Sequence, residues 1–429
     1  MPISLAILVP QINFFTNNIF LGGLGERQLA SAGITGVFYL IFAVVGNGLN
    51  NGLQALISRR AGENKPKEIG VLFFHGVWVA LVFAALGIFL TYTIAPTILR
   101  SLIHNQVIAN EVVDFLLIRI WGLPLLYMFS IRNSLLVGTN NARYLIWGTL
   151  AEATANIFFD YSLIYGHFGM PAIGFNGAAY ASIIAEGMGF LVVLWVSRFK
   201  GINRSFEIFK EKKINFDRIK LILVQSSPLI LQFAISIITW EYFYLMIEHH
   251  GERALSVSNS MRNIFGLTGI FSWAFASTTN TMVSNIIGQK KEHEVLPLIM
   301  RISKLSFSIS LLVVILMNLF PEIILSVFGQ SDSFIADAIP VMRIVSIALL
   351  LMSFSTVWLN AVTGTGNTLV NLTIETVTIF IYIIYVYLIL VKWYLPITWG
   401  WVSEIVYWVS MFSMACWYIL SGRWKGKVI

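Results

Sequence analysis

Apolar runs of 18 residues or more recur from one end of this chain to the other. A run of that length matches the hydrocarbon thickness of a bilayer. Inside lipid every backbone polar group must be satisfied within its own segment, so the runs are read as helices. The fold class that follows is an all-α polytopic membrane protein. Composition agrees: 57% of the 429 residues are hydrophobic and 11% are charged, against about 45–50% apolar and about 25% charged in soluble domains.

Twelve spans are expected, at roughly 2–22, 34–58, 69–94, 112–137, 144–166, 177–197, 220–247, 254–286, 298–320, 335–362, 370–391 and 400–421. An even number puts both termini on one side. With the amino terminus inside, the inner segments are 59–68, 138–143, 198–219, 287–297, 363–369 and the tail from 422. Twenty of the 28 Lys and Arg lie in or beside those segments. The skew is that of cytoplasmic loops, so both termini are expected in the cytoplasm and the protein in the cytoplasmic (inner) membrane. The same bias explains the net charge of +7, and no nucleic-acid partner is expected. The single cysteine, Cys416, excludes a disulfide framework and a cysteine metal site. The six histidines show no ligand spacing. Met1 opens an apolar segment with no basic region before it, so no cleavable signal peptide is expected.

The only long polar loop, 198–219 (RFKGINRSFEIFKEKKINFDRI), sits mid-chain. It divides an amino-terminal lobe of six spans, 1–197, from a carboxyl-terminal lobe of six, 220–429. The halves repeat. Gly25-Glu26-Arg27-Gln28-Leu29 matches Gly251-Glu252-Arg253-Ala254-Leu255 at an offset of 226 residues. The same offset relates Ser58 to Ser284, Gly62 to Gly288, Gly138-Thr139 to Gly364-Thr365, and Asn141 to Asn367. Each half has an even number of spans and enters from the same side. The expected symmetry is therefore a pseudo-two-fold along the membrane normal, with a cleft between two bundles that rock around a fixed site.

Polar groups inside the spans are the candidates for function. Tyr144–Gly166 carries Glu152, Asn156 and Asp160 four residues apart, and that spacing falls on one helix face. Each acid near a bilayer centre costs about 2.5–3.5 kcal/mol on insertion scales, so an ion site facing the protein interior is the leading reading. A buried structural network is the other. Asp160 lies about 10 Å deep, at 1.5 Å per residue. A lone carboxylate there suits a proton carrier; oxygens from Asn156, Asn17 or Ser182 would suit Na⁺.

Counting back from the turn near Asn140 sets Arg132 and Glu152 at similar depth, which predicts a structural ion pair. The turn near Gly251 sets Glu241 level with Arg262, which predicts that they meet, either as a permanent pair or as one opened by a cation. Glu375 in the eleventh span has no obvious basic partner and is a second-lobe acid candidate beside Glu241. Arg119 and Arg343 are expected to snorkel outward, and Glu186 is a weaker candidate that packing would explain. Trp240, Trp273 and Trp358 are candidates to line a cleft for flat cations.

The motifs, taken in order, resemble the multidrug and toxic compound extrusion (MATE) family. They are NNIFLGGLGERQLASAG closing the first span, LNNGLQALISRRAGENK closing the second, and Asn156-Ile-Phe-Phe-Asp160 followed by GMPAIGFNGAAYAS. VSNIIGQKK and GTGNT repeat the loops in the second half. The resemblance covers essentially the whole chain. It implies twelve helices in two lobes and export of lipophilic compounds, expected to be cationic, in exchange for inward H⁺ or Na⁺. Residue by residue, it matches Asp160 and Asn156 to the family's cation-coupling pair, with Na⁺ as one ligand, and Ser182 to a hydroxyl position in span six. Asn17 stands where many members have Asp, and Asn367 where some do.

The expected partners are a small-molecule substrate and the bilayer, and the expected state is a monomer with no cofactor beyond the coupling ion. A flippase for a lipid-linked saccharide is the alternative with the same twin-bundle plan. It would be expected to show several basic residues in its cleft, where this chain offers Arg132 and Arg262. A channel lacks its repeated filter element, and an enzyme lacks a phosphate loop, a metal constellation or a nucleophile–base pattern.

Overall fold

The computed structural model describes residues 16–17, 19–103, 105–210, 213–328, 331–427 and 429. Among these the chain is α-helical with no strand. The long helices are α1 (Glu26–Gly62), α2 (Pro66–Thr93), α3 (Gln106–Arg119), α4 (Leu123–Gly138), α5 (Leu145–Tyr165), α6 (Phe175–Phe199), α7 (Phe216–Glu248), α8 (Glu252–Gly288), α9 (Val295–Leu319), α10 (Asp332–Gly364), α11 (Thr368–Val386) and α12 (Ile397–Leu420). One turn at Ile120–Gly122 joins α3 to α4, and the two make a single span.

Nine segments among the described residues are long and apolar enough to cross a membrane. α5 and α8 are long as well but more polar, α5 through Glu152, Asn156 and Asp160 and α8 through Asn259, Arg262 and Asn263. The first expected span, 2–22, lies mostly outside the described residues; 16–17 and 19–22 of it are helical. The nine, with α5 and α8, make eleven long helical spans among the described residues.

Local chemistry marks the helix ends. Pro66 opens α2, where its missing N–H costs nothing. Asn105 caps α3 by accepting from the Val107 and Ile108 amides. Gly166 closes α5 at φ 79°, a left-handed position that suits glycine.

The chain forms two compact units, Met1–Ile230 and Leu231–Ile429. The division falls inside α7, close to Pro228, and not in the polar segment 198–219. Much of that segment folds onto the first unit. The Asn215 amide donates to His75 Nε2 at 2.9 Å, and the Phe209 ring lies 5.8 Å from that of Phe73.

The 226-residue repeat is present in the backbone of each unit. Left-handed φ recurs at that interval in Gly25 (130°) and Gly251 (96°), Asn64 (54°) and Lys290 (61°), and Asn140 (61°) and Gly366 (87°). Helix contacts repeat too. A Cβ on Gly138 would stand 2.9 Å from Ile57 Cγ2 and 3.3 Å from Gln54 O; one on Gly364 would stand 3.0 Å from Val283 Cβ and 2.8 Å from Asn280 O. Thus α4 meets α1 as α10 meets α8, each through a glycine that lets backbones approach.

Candidate functional site

In the first unit, α5 and α6 are held together by glycines. A Cβ on Gly148 would lie 2.0 Å from Val193 Cγ2, one on Gly189 would lie 2.9 Å from Glu152 Cβ, and one on Gly177 would lie 2.7 Å from Leu163 O. This seam carries Glu152 toward α6 and buries Asn156 and Asp160, which are 2% and 0% exposed. Ser182 is half-buried on α6, one turn before Glu186, and Asn17 is helical and half-buried.

Arg119, at the end of α3, does not snorkel outward. Its Nη1 donates to Glu186 Oε2 at 3.0 Å and its Nη2 to Glu186 Oε1, a bidentate pair with both side chains about nine-tenths buried. The Tyr39 ring of α1 lies 4.0 Å from the guanidinium. Arg119 thus ties α3 to α6 through Glu186 and to α1 through Tyr39. The sequence reading ranked Glu186 low and left Tyr39 out.

The expected Arg132–Glu152 pair is not formed. Arg132 is buried, donates from Nη1 to Asn203 Oδ1 at 2.8 Å, and lies 4.6 Å over the Phe73 ring. The hairpin count assumes that consecutive helices pack on each other. Here α4 packs on α1 and α2, while α5 packs on α6. The two side chains leave a shared turn toward different neighbours.

In the second unit, Arg262 Nη2 stands 3.3 Å from Glu241 Oε1, with the guanidinium 5.1 Å over both Trp240 and Tyr244. Both charged side chains are about 40% exposed. Glu375, on α11, is 1% exposed. Ser236 Oγ lies 2.6 Å from its Oε1, Tyr407 Oη also donates to Oε1, and Gln232 Nε2 lies 3.4 Å from Oε2. A further buried acid, Glu404 on α12, accepts from Tyr382 Oη at 3.4 Å. It is an acid in an apolar run, ITWGWVSEIVYW, and that signal was available in the sequence. No grouping of three or more His, Cys, Asp and Glu fit to hold a metal ion occurs among the described residues.

The MatE family model matches residues 2–162 and again 228–388. The two matches are displaced by the same 226 residues as the motifs and the backbone turns. The chain belongs to the MatE family.

It is similar to proteins named probable multidrug resistance protein NorM. The one from Synechocystis sp. is 27% identical over 194 residues, 45% of this chain and 42% of that relative. The one from Thermotoga maritima is 23% identical over 429 residues, 96% of this chain and 88% of the relative. The match thus spans less than half the length of the Synechocystis protein and most of the Thermotoga one. Among solved structures, a MATE transporter from Vibrio cholerae in mutant form superposes with a TM-score of 0.90 at 18% identity, over 99% of this chain and 95% of that one. This MatE chain is accordingly a multi-pass helical membrane protein.

Proposed function

We propose that the chain is a secondary antiporter that exports lipophilic, cationic compounds in exchange for inward H⁺ or Na⁺. In this reading the lobes 1–197 and 220–429 alternate between inward- and outward-open states, and both termini face the cytoplasm. The observation that carries it is the full burial of the Asp160 carboxyl on α5, one turn after the buried Asn156. An ionised carboxylate taken out of water costs several kcal/mol. A proton or a Na⁺ ion supplied at Asp160 and Asn156 would lower that cost. Ion occupancy would then bias the bundles between two states through differential affinity.

Asp160 is the coupling group in this reading, Asn156 and Ser182 supply oxygens, and Asn17 supplies an amide where many family members place an acid. Multidrug resistance in the names of the NorM relatives supports a xenobiotic substrate. Three arginines within the spans are engaged elsewhere than with a pyrophosphate, which counts against a flippase: Arg119 faces Glu186, Arg262 faces Glu241, and Arg132 is bound to Asn203.

The test is efflux of a lipophilic cation such as ethidium from proteoliposomes, under a pH gradient and separately under a Na⁺ gradient. One gradient should drive efflux, and Asp160→Asn should abolish it in a folded protein. Efflux unchanged by Asp160→Asn removes the assignment.

A further inference from the structure

We propose that the second unit holds a proton site of its own. In it Glu375 is protonated, and its titration is coupled to that of Glu404, which stands behind the Tyr407–Tyr382 pair. This goes beyond the Asp160 reading and does not depend on it.

The hydrogens around Glu375 make the first argument. Ser236 Oγ is 2.8 Å from the Gln232 carbonyl oxygen and 2.6 Å from Glu375 Oε1, Tyr407 Oη meets Oε1, and Gln232 Nε2 meets Oε2, which makes four contacts. Ser236 and Tyr407 have one hydroxyl hydrogen each, and the Gln232 amide offers one toward Oε2. Ser236 has one hydrogen for two of these contacts, the Gln232 backbone carbonyl and Glu375 Oε1, both of which only accept if the carboxyl is ionised. A protonated Glu375 lets both be filled at once, donating to Ser236 while Ser236 donates to the backbone one turn back. The Gln232 amide is oriented independently, because its Oε1 accepts from Asn371 Nδ2 at 2.8 Å and the same nitrogen reaches Thr363 Oγ1 at 3.0 Å.

The second argument separates a proton from a metal cation. Hard cations such as Ca²⁺ sit about 2.3–2.6 Å from each ligand oxygen, which keeps those oxygens apart from one another. The Ser236–Glu375 distance of 2.6 Å is that of a direct O–H···O bond. The site is packed for a hydrogen between its oxygens and not for an ion.

The third is placement. Glu375 lies two turns from the start of α11 at Thr368, and Glu404 lies two turns from the start of α12 at Ile397. The helices are consecutive and run in opposite directions across the membrane, so each acid is about 10 Å from an opposite face at 1.5 Å per residue. Between them Tyr407 and Tyr382 meet edge to face with centroids 5.8 Å apart, one hydroxyl on each acid. The other titratable and charged groups facing the pair are Tyr244 and, beyond it, Arg262 with Glu241. Among the described residues no Lys, Arg or His forms an ion pair with Glu375 or Glu404. Neither acid has a fixed cation that would hold it ionised.

The experiment is infrared difference spectroscopy of the full-length protein in lipid nanodiscs, titrated through pH with and without Na⁺. A buried protonated carboxyl gives a carbonyl band that shifts in heavy water. Glu375→Gln should remove that band, and Asp160→Asn should leave it in place. Glu404→Gln should keep the band but move the pH at which it disappears. Tyr407→Phe deletes only one hydroxyl and should raise the band's frequency, which keeps the test valid if Glu375→Gln does not fold. A spectrum unchanged by Glu375→Gln or by Tyr407→Phe overturns the protonated Glu375. A band displaced by Na⁺ at constant pH overturns the proton in favour of a metal cation. A titration untouched by Glu404→Gln overturns the coupling. Because Asp160→Asn is scored separately, failure here leaves the antiport reading standing, and the reverse also holds.

Discussion

Arg119 grips both carboxylate oxygens of Glu186, and the two side chains are about nine-tenths buried on helices far apart in sequence. A pair so placed is costly to break from one side and cheap to replace whole. Arg119→Leu or Glu186→Leu alone should each destabilise the protein by about 3–5 kcal/mol, since one buried charge is left behind. The double replacement should cost much less than the sum. Thermal unfolding of all three variants in one detergent gives the coupling; additive losses would mean that the pair is not a unit.

Gly189 sits where α5 and α6 touch. A Cβ there would stand 2.9 Å from Glu152 Cβ and 3.0 Å from the Gly148 carbonyl oxygen. Neither is the far end of a flexible side chain. Gly189→Ala is therefore expected to force the helices apart, at about 1–3 kcal/mol. Gly187→Ala, whose nearest neighbour would be 3.5 Å away, is the control and should unfold at the wild-type temperature. Equal midpoints for the two variants would show that the seam is not tight.

Much of this architecture is legible in the sequence because the chain states it twice. Gly25 and Gly251, or Gly138 and Gly364, are tied to a backbone turn or a close helix contact, and such constraints leave the same residue at the same interval. Side-chain partnerships are a different matter. Counting from a turn gives depth along a helix but not the direction in which a side chain leaves it. For Glu241 and Arg262 depth sufficed, and the two lie 3.3 Å apart. For Arg132 and Glu152 it did not, because α4 turns to α1 and α2 while α5 turns to α6. The Arg119–Glu186 pair joins residues 67 apart, with no shared turn from which to count. Tyr407 and Ser236 were illegible for another reason: one among fifteen tyrosines or many serines is informative only when its partner is known.

The Glu241–Arg262 pair should behave unlike the Arg119–Glu186 pair. Its side chains are about 40% exposed; if that exposure is to a water-filled cleft, the pair is worth about 0–1 kcal/mol. Glu241→Gln should leave the unfolding temperature close to that of the wild type. Exchanging the two residues should preserve transport if they are only partners. Loss of transport in a well-folded exchange variant would assign Glu241 a direct role with a cation.

Glu63, in the turn after α1, is an acid outside the spans. Burial pushes its carboxyl up, but hydrogen bonds from Lys65 and Arg60 outweigh that and hold it below the ordinary carboxylate value. A carboxyl whose folded value is depressed adds stability above its unfolded value and loses it as pH falls through the folded one. Glu63→Gln should therefore lower the unfolding temperature slightly at neutral pH. The gap to wild type should close as the pH is taken below the usual carboxylate range. A gap that stays constant with pH would mean that the loop is held by packing and not by charge.

Asp160 gives the sharpest division between a structural and a coupling role. It is fully buried, one turn after Asn156. Were it only a packing acid, Asp160→Asn would keep the shape and the hydrogen-bonding capacity of the site and leave transport intact. Were it the coupling group, the same change would remove the one property that Asn lacks, the ability to gain and lose charge. Substrate binding should then survive while gradient-driven efflux fails, since the ion would no longer distinguish the two conformations. Measuring equilibrium binding of ethidium beside efflux under each gradient separates the cases. Retained binding with efflux lost under a single ion's gradient would identify the coupling ion as well as the residue. Loss of both in a folded variant would instead place Asp160 in the substrate's own site.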